Sequence, residues 1–358
     1  MNNYFFTGFP GFLATYIVKE LVLSEHPVRH VQFLVLPNEY DLAQQRLEEL
    51  KSINPKVKYT IFSGDITKEQ LGLSDDDYKQ ISEQTHYLFH LAAIYDLSVP
   101  YKPAFNVNVN GTIQINKLAV NCVELKKYIY FSTSYVSGKR SGRIFESELE
   151  HDTGFKNHYE ETKYLAEKEV QRWMGELPIS IIRPGIVVGH SETGETLKFD
   201  GPYYMLEMFR RIRNLPLIPY IGKGKAPINL VPVDYMIQST LYLSHLKGRN
   251  SKVYQIADPS PSSSREIYRL FALHYLGKEP KGQIPSFIAK GSLSIPFARK
   301  MLGTQKQTVD YMDHYCVYDT TNTKSDLRGS GIEFPQISEL VPTLVRYFRE
   351  QTRDRESS

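Results

Sequence analysis

The stretch TGFPGFLA, residues 7–14, constrains the fold of this chain more than any other segment. Its small residues Gly8, Gly11 and Ala14 recur at every third position, directly after the apolar-leaning stretch NNYFF. A short buried strand is expected at residues 3–6 and a helix at residues 13–24. A glycine turn of this kind either cradles a phosphate or simply joins a strand to a helix, so the surrounding pattern must decide.

Apolar strands and helical patterns alternate along the following residues. Further strands are predicted at residues 30–36, 58–62, 85–91, 127–131 and 179–182. This alternation predicts an α/β fold with a doubly wound, Rossmann-type parallel sheet that helices cover on both faces. In that context the first turn favours nucleotide binding: Gly8 allows the turn, Gly11 lets the backbone approach a phosphate, and the helix start presents free N–H groups.

Composition and charge exclude several classes of protein. Of 358 residues, 41% are hydrophobic, and 43 Lys and Arg against 40 Asp and Glu leave a net charge of +3, which gives no reason to expect nucleic acid as a partner. Cys122 and Cys316 are too few and too far apart in sequence for a disulfide framework or a metal site. No signal peptide and no apolar run of membrane-spanning length is evident. We therefore expect a soluble cytoplasmic protein with no metal and no membrane span; the oligomeric state stays open.

A tyrosine and a lysine in the segment NHYEETKYLAEKEV point to proton-transfer chemistry. Tyr159 and Lys163 are four residues apart and so share one face of a helix. A neighbouring ammonium would lower the phenol pKa from about 10 towards working pH, which suits exchange of a proton with a substrate oxygen. Thr133, in FSTSYVSG after the fifth strand, would add a hydroxyl. The same spacing also occurs in amphipathic helices where the tyrosine merely packs and the lysine is solvated.

Eight motifs in order resemble the extended short-chain dehydrogenases/reductases, over essentially the whole chain. They are TGFPGFLA, GDIT, HLAA, NVNGT, STSYVSG, YEETK, RPGIVVG and VPVDY. The resemblance implies Thr133, Tyr159 and Lys163 as catalytic residues, with Lys163 also bonding the nicotinamide ribose. It implies that the following residues contact a nicotinamide dinucleotide: Thr7, Gly8, Phe9, Pro10, Gly11, Phe12, Leu13, Arg46, Asp65, Ile66, Leu91, Ala92, Ala93, Tyr159, Lys163, Pro184, Gly185 and Ile186. Among them, Asp65 and Ile66 would lie beside the adenine.

Within that superfamily the chain is most similar to fatty acyl-CoA reductases and to the thioester reductase domains of carboxylic acid reductases. TGFPGFLA, HLAAIYDL and GHSETGETLKFDGPYY carry this similarity. It implies an NAD(P)H-dependent reductase of an acyl thioester, held on coenzyme A or a carrier protein, or of the derived aldehyde. Two other classes stay open: an alcohol or hydroxysteroid-like dehydrogenase or sugar-nucleotide epimerase or dehydratase, and a non-catalytic dinucleotide sensor. The intact Thr133, Tyr159 and Lys163 argue against a sensor.

The less regular segments predict a smaller C-terminal cap that binds the substrate. We assign residues 1–189 and 226–258 to the dinucleotide-binding domain, 190–225 and 259–348 to the cap, and 349–358 to a flexible tail. The segment FDGPYYMLEMFRRIRNLPLIPYIG is rich in aromatic and apolar residues, which suits a lipophilic acyl or aldehyde substrate. Arg210, Arg211 and Arg213 either contact a phosphate of the carrier or form a solvated helix face.

The residues after the second strand include features of both NAD-binding and NADP-binding enzymes. The related acyl reductases commonly carry arginine where Leu36 stands, and Glu39 and Asp41 could receive ribose hydroxyls. Arg46 matches a second basic position of the family, from which a guanidinium can reach a 2′-phosphate. NADP(H) is therefore favoured, with NAD(H) possible.

Overall fold

The computed structural model describes residues 1–248, 250–285 and 314–353. The strands of the described residues, numbered in chain order, are β1 Asn2–Thr7, β2 Val28–Val35, β3 Lys58–Ser63, β4 Tyr87–His90, β5 Lys127–Phe131, β6 Gly142–Ile144, β7 Ile179–Pro184, β8 Ile186–Val188, β9 Tyr220–Ile221, β10 Leu230–Pro232, β11 Lys252–Ile256, β12 Gln283–Ile284 and β13 Cys316–Tyr318.

Helices connect these strands on both faces of the sheet. Those of the described residues are α1 Phe12–Leu23, α2 Tyr40–Ile53, α3 Asp75–Gln84, α4 Tyr101–Phe105, α5 Gly111–Asn121, α6 His158–Gln171, α7 Tyr203–Ile212, α8 Val233–Ser244, α9 Ser264–Leu276, α10 Thr321–Asp326 and α11 Ile337–Arg353. Short 3₁₀ turns precede α2 and follow β5, and a π-helical turn joins α4 to α5.

The main sheet has seven parallel strands in the order β11-β7-β5-β4-β1-β2-β3. This confirms the doubly wound Rossmann-type fold, with each predicted strand found within two residues of its expected ends. The edge strand β11 was not predicted. The strand order reverses between β1 and β4, whose last residues Thr7 and His90 are paired. Ligands of such sheets bind in the crevice at this switch point, beyond the carboxyl ends of the strands.

Alternating side chains of the strands bury two separate apolar layers. Phe6 and Phe33 pack with Ile17 and Met236 on one face, whereas Phe5 packs with the opposite layer. Because neighbouring strand residues point to opposite faces, a strand that is covered on both faces tends to be apolar at successive positions, as in FLV of β2 and YIYF of β5.

A third apolar cluster lies in the segments predicted to form the cap. It joins α7, α9 and α11 through side chains such as Leu206, Phe209, Phe271, Leu344 and Phe348. The predicted cap residues 286–313 lie outside the described residues. The cluster also includes Val188 and Leu230, which the prediction assigned to the dinucleotide-binding domain. The division into two domains stays a prediction.

Two parts of the C-terminal region differ from the predicted division. Residues 316–334, assigned to the cap, instead contact the predicted dinucleotide-binding domain: β13 pairs with β6 in a separate two-stranded sheet, and α10 packs against the edge strand β11 of the large sheet. The buried Glu146 carboxylate explains this, since it accepts hydrogen bonds from the backbone of Asn322 and Thr323. Residues 349–353, assigned to the flexible tail, continue α11, where Thr352 is buried and Arg349 donates to the Tyr275 carbonyl. Residues 354–358 lie outside the described residues.

Candidate functional site

The glycine turn lies at the switch point of the sheet and is tightly closed. Gly8 has a φ of +86°, and a Cβ there would lie 2.8 Å from the Ala92 nitrogen. The Gly11 N–H donates to the Gly8 carbonyl over 2.8 Å, and a Cβ on Gly11 would lie 2.6 Å from that oxygen. The turn therefore requires glycine at both positions. Helix α1 follows with no side-chain cap and no acidic residue in its first turn, which leaves its start suited to an anion.

A buried chain of hydrogen bonds ties this turn to the end of β4. The Ala92 N–H donates to Thr7 Oγ1 over 3.2 Å, and Thr7 Oγ1 lies 2.7 Å from His90 Nδ1. On the other side, His90 Nε2 lies 3.0 Å from Thr112 Oγ1, which itself donates to the Asn108 carbonyl. Since the Thr112 proton is used, His90 carries its proton on Nε2 and accepts from Thr7 at Nδ1. Burial lowers the His90 pKa to about 3, so the ring is neutral.

The predicted cofactor residues divide into those that face the crevice and those that support it. Gly11 is exposed, and Phe12 and Leu13 are half-buried at the start of α1. Thr7 and Phe9 are buried below the turn, where the Phe9 ring stacks on Phe33 at 4.1 Å. Pro10 is also buried, so the structure leaves these three residues only their backbone to offer a ligand.

The adenine side of the predicted site contains Asp65 and Ile66. Asp65 follows β3, and its Oδ1 accepts from the backbone N–H and hydroxyl of Thr67, both over 2.8 Å. Ile66 is buried against Gly111, where a Cβ would come within 2.6 Å of Ile66 Cδ1. The Asp65 Oδ1 atom therefore stabilises the loop that contains Asp65. Its Oδ2 atom makes no hydrogen bond within the part of the chain that the structure describes.

The residues that bear on the choice between NAD and NADP lie just before α2 and in its first half. Leu36 is exposed, and so are Glu39 and Asp41. Arg46 is partly exposed and donates from Nη1 to both oxygens of Glu49, at 3.0 and 3.1 Å. An exposed pair of this kind contributes little free energy, so Arg46 can leave it for a phosphate.

The segment after β7 approaches the same crevice from the other half of the sheet. Pro184 is the last residue of β7, where its backbone pairs with Ile256. A Cβ on Gly185 would lie 2.9 Å from the Asn229 carbonyl, so the backbone passes too close for a side chain. Ile186 then begins β8 and is half-buried. Leu91, Ala92 and Ala93 are half-buried at the end of β4.

Thr133, Tyr159 and Lys163 meet beside this crevice. Tyr159 and Lys163 lie on one face of α6, which begins with an Asn157 cap. A hydrogen bond joins Tyr159 to Thr133, two residues beyond β5. Lys163 Nζ donates to the Phe131 carbonyl over 2.6 Å and to Tyr130 Oη over 3.0 Å. The structure thus brings together the three residues that the motifs predicted.

The electrostatics of this group differ from the expectation in one respect. Burial raises the pKa of Tyr159, against the opposing effect of its Thr133 hydrogen bond, so the phenol is protonated at neutral pH. The predicted lowering by Lys163 is not found, because the ammonium bonds to β5 instead. Burial lowers the Lys163 pKa to about 7, and the nearby Glu167 carboxylate opposes that shift. A protonated phenol beside a half-charged lysine can donate a proton to an oxygen in the crevice.

Two further residues shape the site and were not predicted individually. Asn108, in the NVNGT motif, accepts from the Ile94 N–H over 2.8 Å and donates to Thr162 on α6 over 3.0 Å. Tyr95, in HLAAIYDL, places its ring edge-on to Tyr159, with centroids 5.1 Å apart. Tyr95 is 55% exposed, so this aromatic pair lies at the surface of the described residues. The quoted motifs contained both residues, but only the fold shows their contacts.

Two of the sequence-based expectations concern membrane-spanning helices and metal sites. Within residues 1–248, 250–285 and 314–353, no helix combines the length and apolar character needed to cross a bilayer. The same residues contain no group of three or more His, Cys, Asp or Glu side chains that could hold a metal ion. A cavity of about 660 Å³ beside the C-terminal end of α6 is lined by residues such as Arg140, Arg143 and Gln171, none of which is a predicted site residue.

Comparison with solved structures supports the fold. The terminal R domain from the myxalamid PKS-NRPS biosynthetic pathway superposes with a TM-score of 0.85 at 24% identity, over 98% of this chain and 91% of that one. A UDP-glucuronic acid 4-epimerase from Bacillus cereus, solved in complex with NAD, gives a TM-score of 0.67 at 19% identity, over 98% of this chain and 99% of that one. At these identities the likeness shows the fold alone.

Sequence comparison shows the family. A fatty acyl-CoA reductase from Drosophila melanogaster is 30% identical over 66% of this chain and 53% of its own length, and an aldehyde reductase from Aspergillus flavus is 25% identical over 96% and 36%. The chain thus spans about half or less of the length of these two relatives. A family model described as male sterility protein matches residues 6–240. These matches confirm the branch of the extended short-chain dehydrogenases/reductases that the motifs indicated. The chain therefore belongs to the NAD-binding family of male sterility proteins.

Proposed function

We propose that this protein is an NAD(P)H-dependent reductase that reduces an acyl thioester, held on coenzyme A or a carrier protein, or the derived aldehyde. The observation that carries the proposal is the meeting of Thr133, Tyr159 and Lys163 beside the switch point of the sheet. The similarity to a fatty acyl-CoA reductase and an aldehyde reductase supports it. No comparable observation favours a sugar-nucleotide enzyme or a sensor.

The residues around the switch point fit a nicotinamide dinucleotide. The backbone at Gly8 and Gly11 has no room for a side chain, and the uncapped start of α1 suits a pyrophosphate. Asp65 and Ile66 would lie towards the adenine, with Ala92 and Ala93 along the cofactor and Pro184, Gly185 and Ile186 towards the nicotinamide. The bound cofactor supplies the hydride. We favour NADPH over NADH because Arg46 can exchange Glu49 for a phosphate.

The side chains of the site would form hydrogen bonds to the substrate carbonyl oxygen and supply one proton to it. Tyr159 Oη donates its proton to the carbonyl oxygen as that oxygen gains negative charge, and the Thr133 hydroxyl donates a second hydrogen bond to the same oxygen. Burial keeps Tyr159 protonated until that charge develops. Lys163 would stabilise the phenolate that remains and would donate a hydrogen bond to the cofactor ribose.

The substrate would enter between the sheet and the cap. Tyr95 lies edge-on to Tyr159, and α7 offers the half-buried side chains of Tyr204 and Met205. An apolar and aromatic cleft suits a lipophilic acyl chain. Glu207 lies 2.7 Å from both Arg210 and Arg211, which favours their role as a helix face over contact with a carrier phosphate. We place the reaction in the cytoplasm.

The test is a comparison of substrate classes with the full chain. Purified protein is incubated with NADPH or NADH and acyl-CoAs of increasing length or the matching aldehydes, and separately with NADP+ or NAD+ and a hydroxysteroid or a UDP-sugar. Nicotinamide absorbance is followed, and the products are separated by chromatography. We expect oxidation of NADPH with a thioester or an aldehyde, and none with Tyr159→Phe. Turnover of the sterol or the sugar nucleotide alone would replace this proposal by one of the other classes.

A further inference from the structure

The catalytic geometry depends on the distance between α6 and the three residues that follow Tyr130. Helix α6 carries Tyr159 and Lys163, whereas their partners, the Phe131 carbonyl and Thr133, belong to the end of β5 and the segment after it. The residue between those two partners is Ser132, which is buried. Any shift of this segment relative to the helix would therefore move both catalytic contacts together.

Ser132 donates hydrogen bonds to both the main sheet and helix α6. Its N–H donates to the Ile182 carbonyl of β7 over 2.7 Å, and its hydroxyl donates to Glu167 Oε2 of α6 over 2.5 Å. Glu167 lies one helical turn beyond Lys163. Ser132 thus connects the main sheet to the catalytic helix at the position between the partners of Lys163 and Tyr159.

Glu167 is itself held rigidly. It is fully buried and pairs with Arg183, which donates to both carboxylate oxygens and is buried as well. Arg183 Nη1 also donates to the carbonyls of Glu146 and Glu148, at 3.3 and 3.0 Å. A buried ion pair costs desolvation free energy, so it contributes little net stability. We attribute its presence to the fixed geometry that it imposes on Glu167.

We propose that Ser132 and Glu167 are positioning residues, whose hydrogen bond sets the distance between α6 and the segment 131–133 and so the alignment of Lys163, Tyr159 and Thr133. This inference rests on the proposed reductase function. Glu167 also favours the charged form of Lys163, because its carboxylate opposes the lowering of the lysine pKa by burial. Tyr130, Tyr159 and His90 are the other titratable groups around that ammonium, and burial keeps His90 neutral.

The experiment replaces Ser132 by Ala in the full chain and separates kcat from KM. Ser132→Ala leaves the Arg183–Glu167 pair intact, so the protein should fold. We expect kcat to fall by about tenfold to a hundredfold, because small misplacements of reacting groups cost about that much. The KM for the acyl substrate and for NADPH should stay within about twofold of the wild type. Ser132→Thr keeps a hydroxyl on Cβ and should restore most of kcat.

Two control variants separate positioning from general damage. Gln171→Ala removes another hydrogen bond to the same carboxylate, one of 2.8 Å, without touching Ser132. Ser244→Ala makes the same substitution at another buried serine, which donates to the Leu241 carbonyl. Both should keep kcat within about twofold of the wild type.

The outcomes that contradict the proposal are distinct from failure of the proposed function. Positioning is wrong if Ser132→Ala keeps its kcat, if its loss appears in KM, or if Ser244→Ala loses as much. It is also wrong if Ser132→Thr folds but stays as slow as Ser132→Ala. The measurement uses whichever carbonyl or alcohol substrate the wild type turns over. A wild type that reduces no thioester therefore overturns the proposed substrate and leaves this comparison intact.

Discussion

At the scale of single residues, Tyr159 is the side chain on which the proposed chemistry depends most. Its ring is buried between Tyr95 and Thr133, and its hydroxyl is the proton donor in the proposal. Tyr159→Phe removes that hydroxyl and little else. We predict that kcat falls by about 10²–10⁴-fold, whereas the affinity for NADPH, measured by fluorescence titration, stays unchanged. A variant with nearly wild-type turnover would assign the proton to another group.

Lys163 makes a prediction about stability and pH. The unfolded chain holds this lysine protonated up to its ordinary pKa, whereas burial lowers the folded pKa to about 7. Between these values the unfolded state binds more protons, so this group makes the free energy of unfolding rise with pH, at most by about 1.4 kcal/mol per unit. Below about pH 7 both states are protonated and the contribution no longer changes.

The measurement compares wild type with Lys163→Met, which cannot titrate at this position. Urea unfolding at several values from about pH 7 to about pH 9 gives the difference in free energy of unfolding between them. We expect the wild type to gain on the variant as pH rises. A difference that is constant with pH would mean that Lys163 has an ordinary pKa in the folded protein.

At the scale of elements, the turn between β1 and α1 has little tolerance for substitution. Gly8 combines a positive φ with a Cβ position 2.8 Å from the Ala92 nitrogen. We predict that Gly8→Ala destabilises the protein by about 1–3 kcal/mol and weakens dinucleotide binding. Gly175 is a suitable control, because a Cβ there meets nothing within 4 Å and its φ is not positive. Equal stability of Gly8→Ala and Gly175→Ala by thermal unfolding would contradict the tight turn.

Helix α2 carries the prediction on cofactor choice. If Arg46 binds a 2′-phosphate, Arg46→Ala should lower kcat/KM for NADPH by about tenfold to a hundredfold and leave the value for NADH nearly unchanged. Lys51 serves as the control because it lies on the same helix in a similar exposed pair, with Glu48 at 2.8 Å. A wild type that prefers NADH would refute the choice of cofactor. An unchanged preference in Arg46→Ala would refute only the role of the arginine.

At the scale of the whole molecule, Glu146 connects the C-terminal region to the sheet. Its carboxylate accepts from the Gln255 N–H, the Asn322 N–H, and both the N–H and hydroxyl of Thr323. Glu146→Ala would leave these buried donors without their acceptor. We predict a loss of about 1–3 kcal/mol in the free energy of unfolding and faster proteolysis near residues 316–334. Glu148→Ala, at a more exposed glutamate, should lose far less.

The sequence alone was sufficient for six of the seven strands of the main sheet, the glycine turn and the group Thr133, Tyr159 and Lys163. Strands covered on both faces tend to be apolar at successive positions, and turn geometry and helical spacing are local properties, so each leaves a direct pattern in the chain. The tertiary structure alone decided the rest. It packed residues 316–334 against the predicted dinucleotide-binding domain and bonded Lys163 to β5 instead of Tyr159. It also joined Ser132 to Glu167 across 35 positions. These contacts depend on burial and on which distant groups meet, and neither can be read from the spacing of residues along the chain.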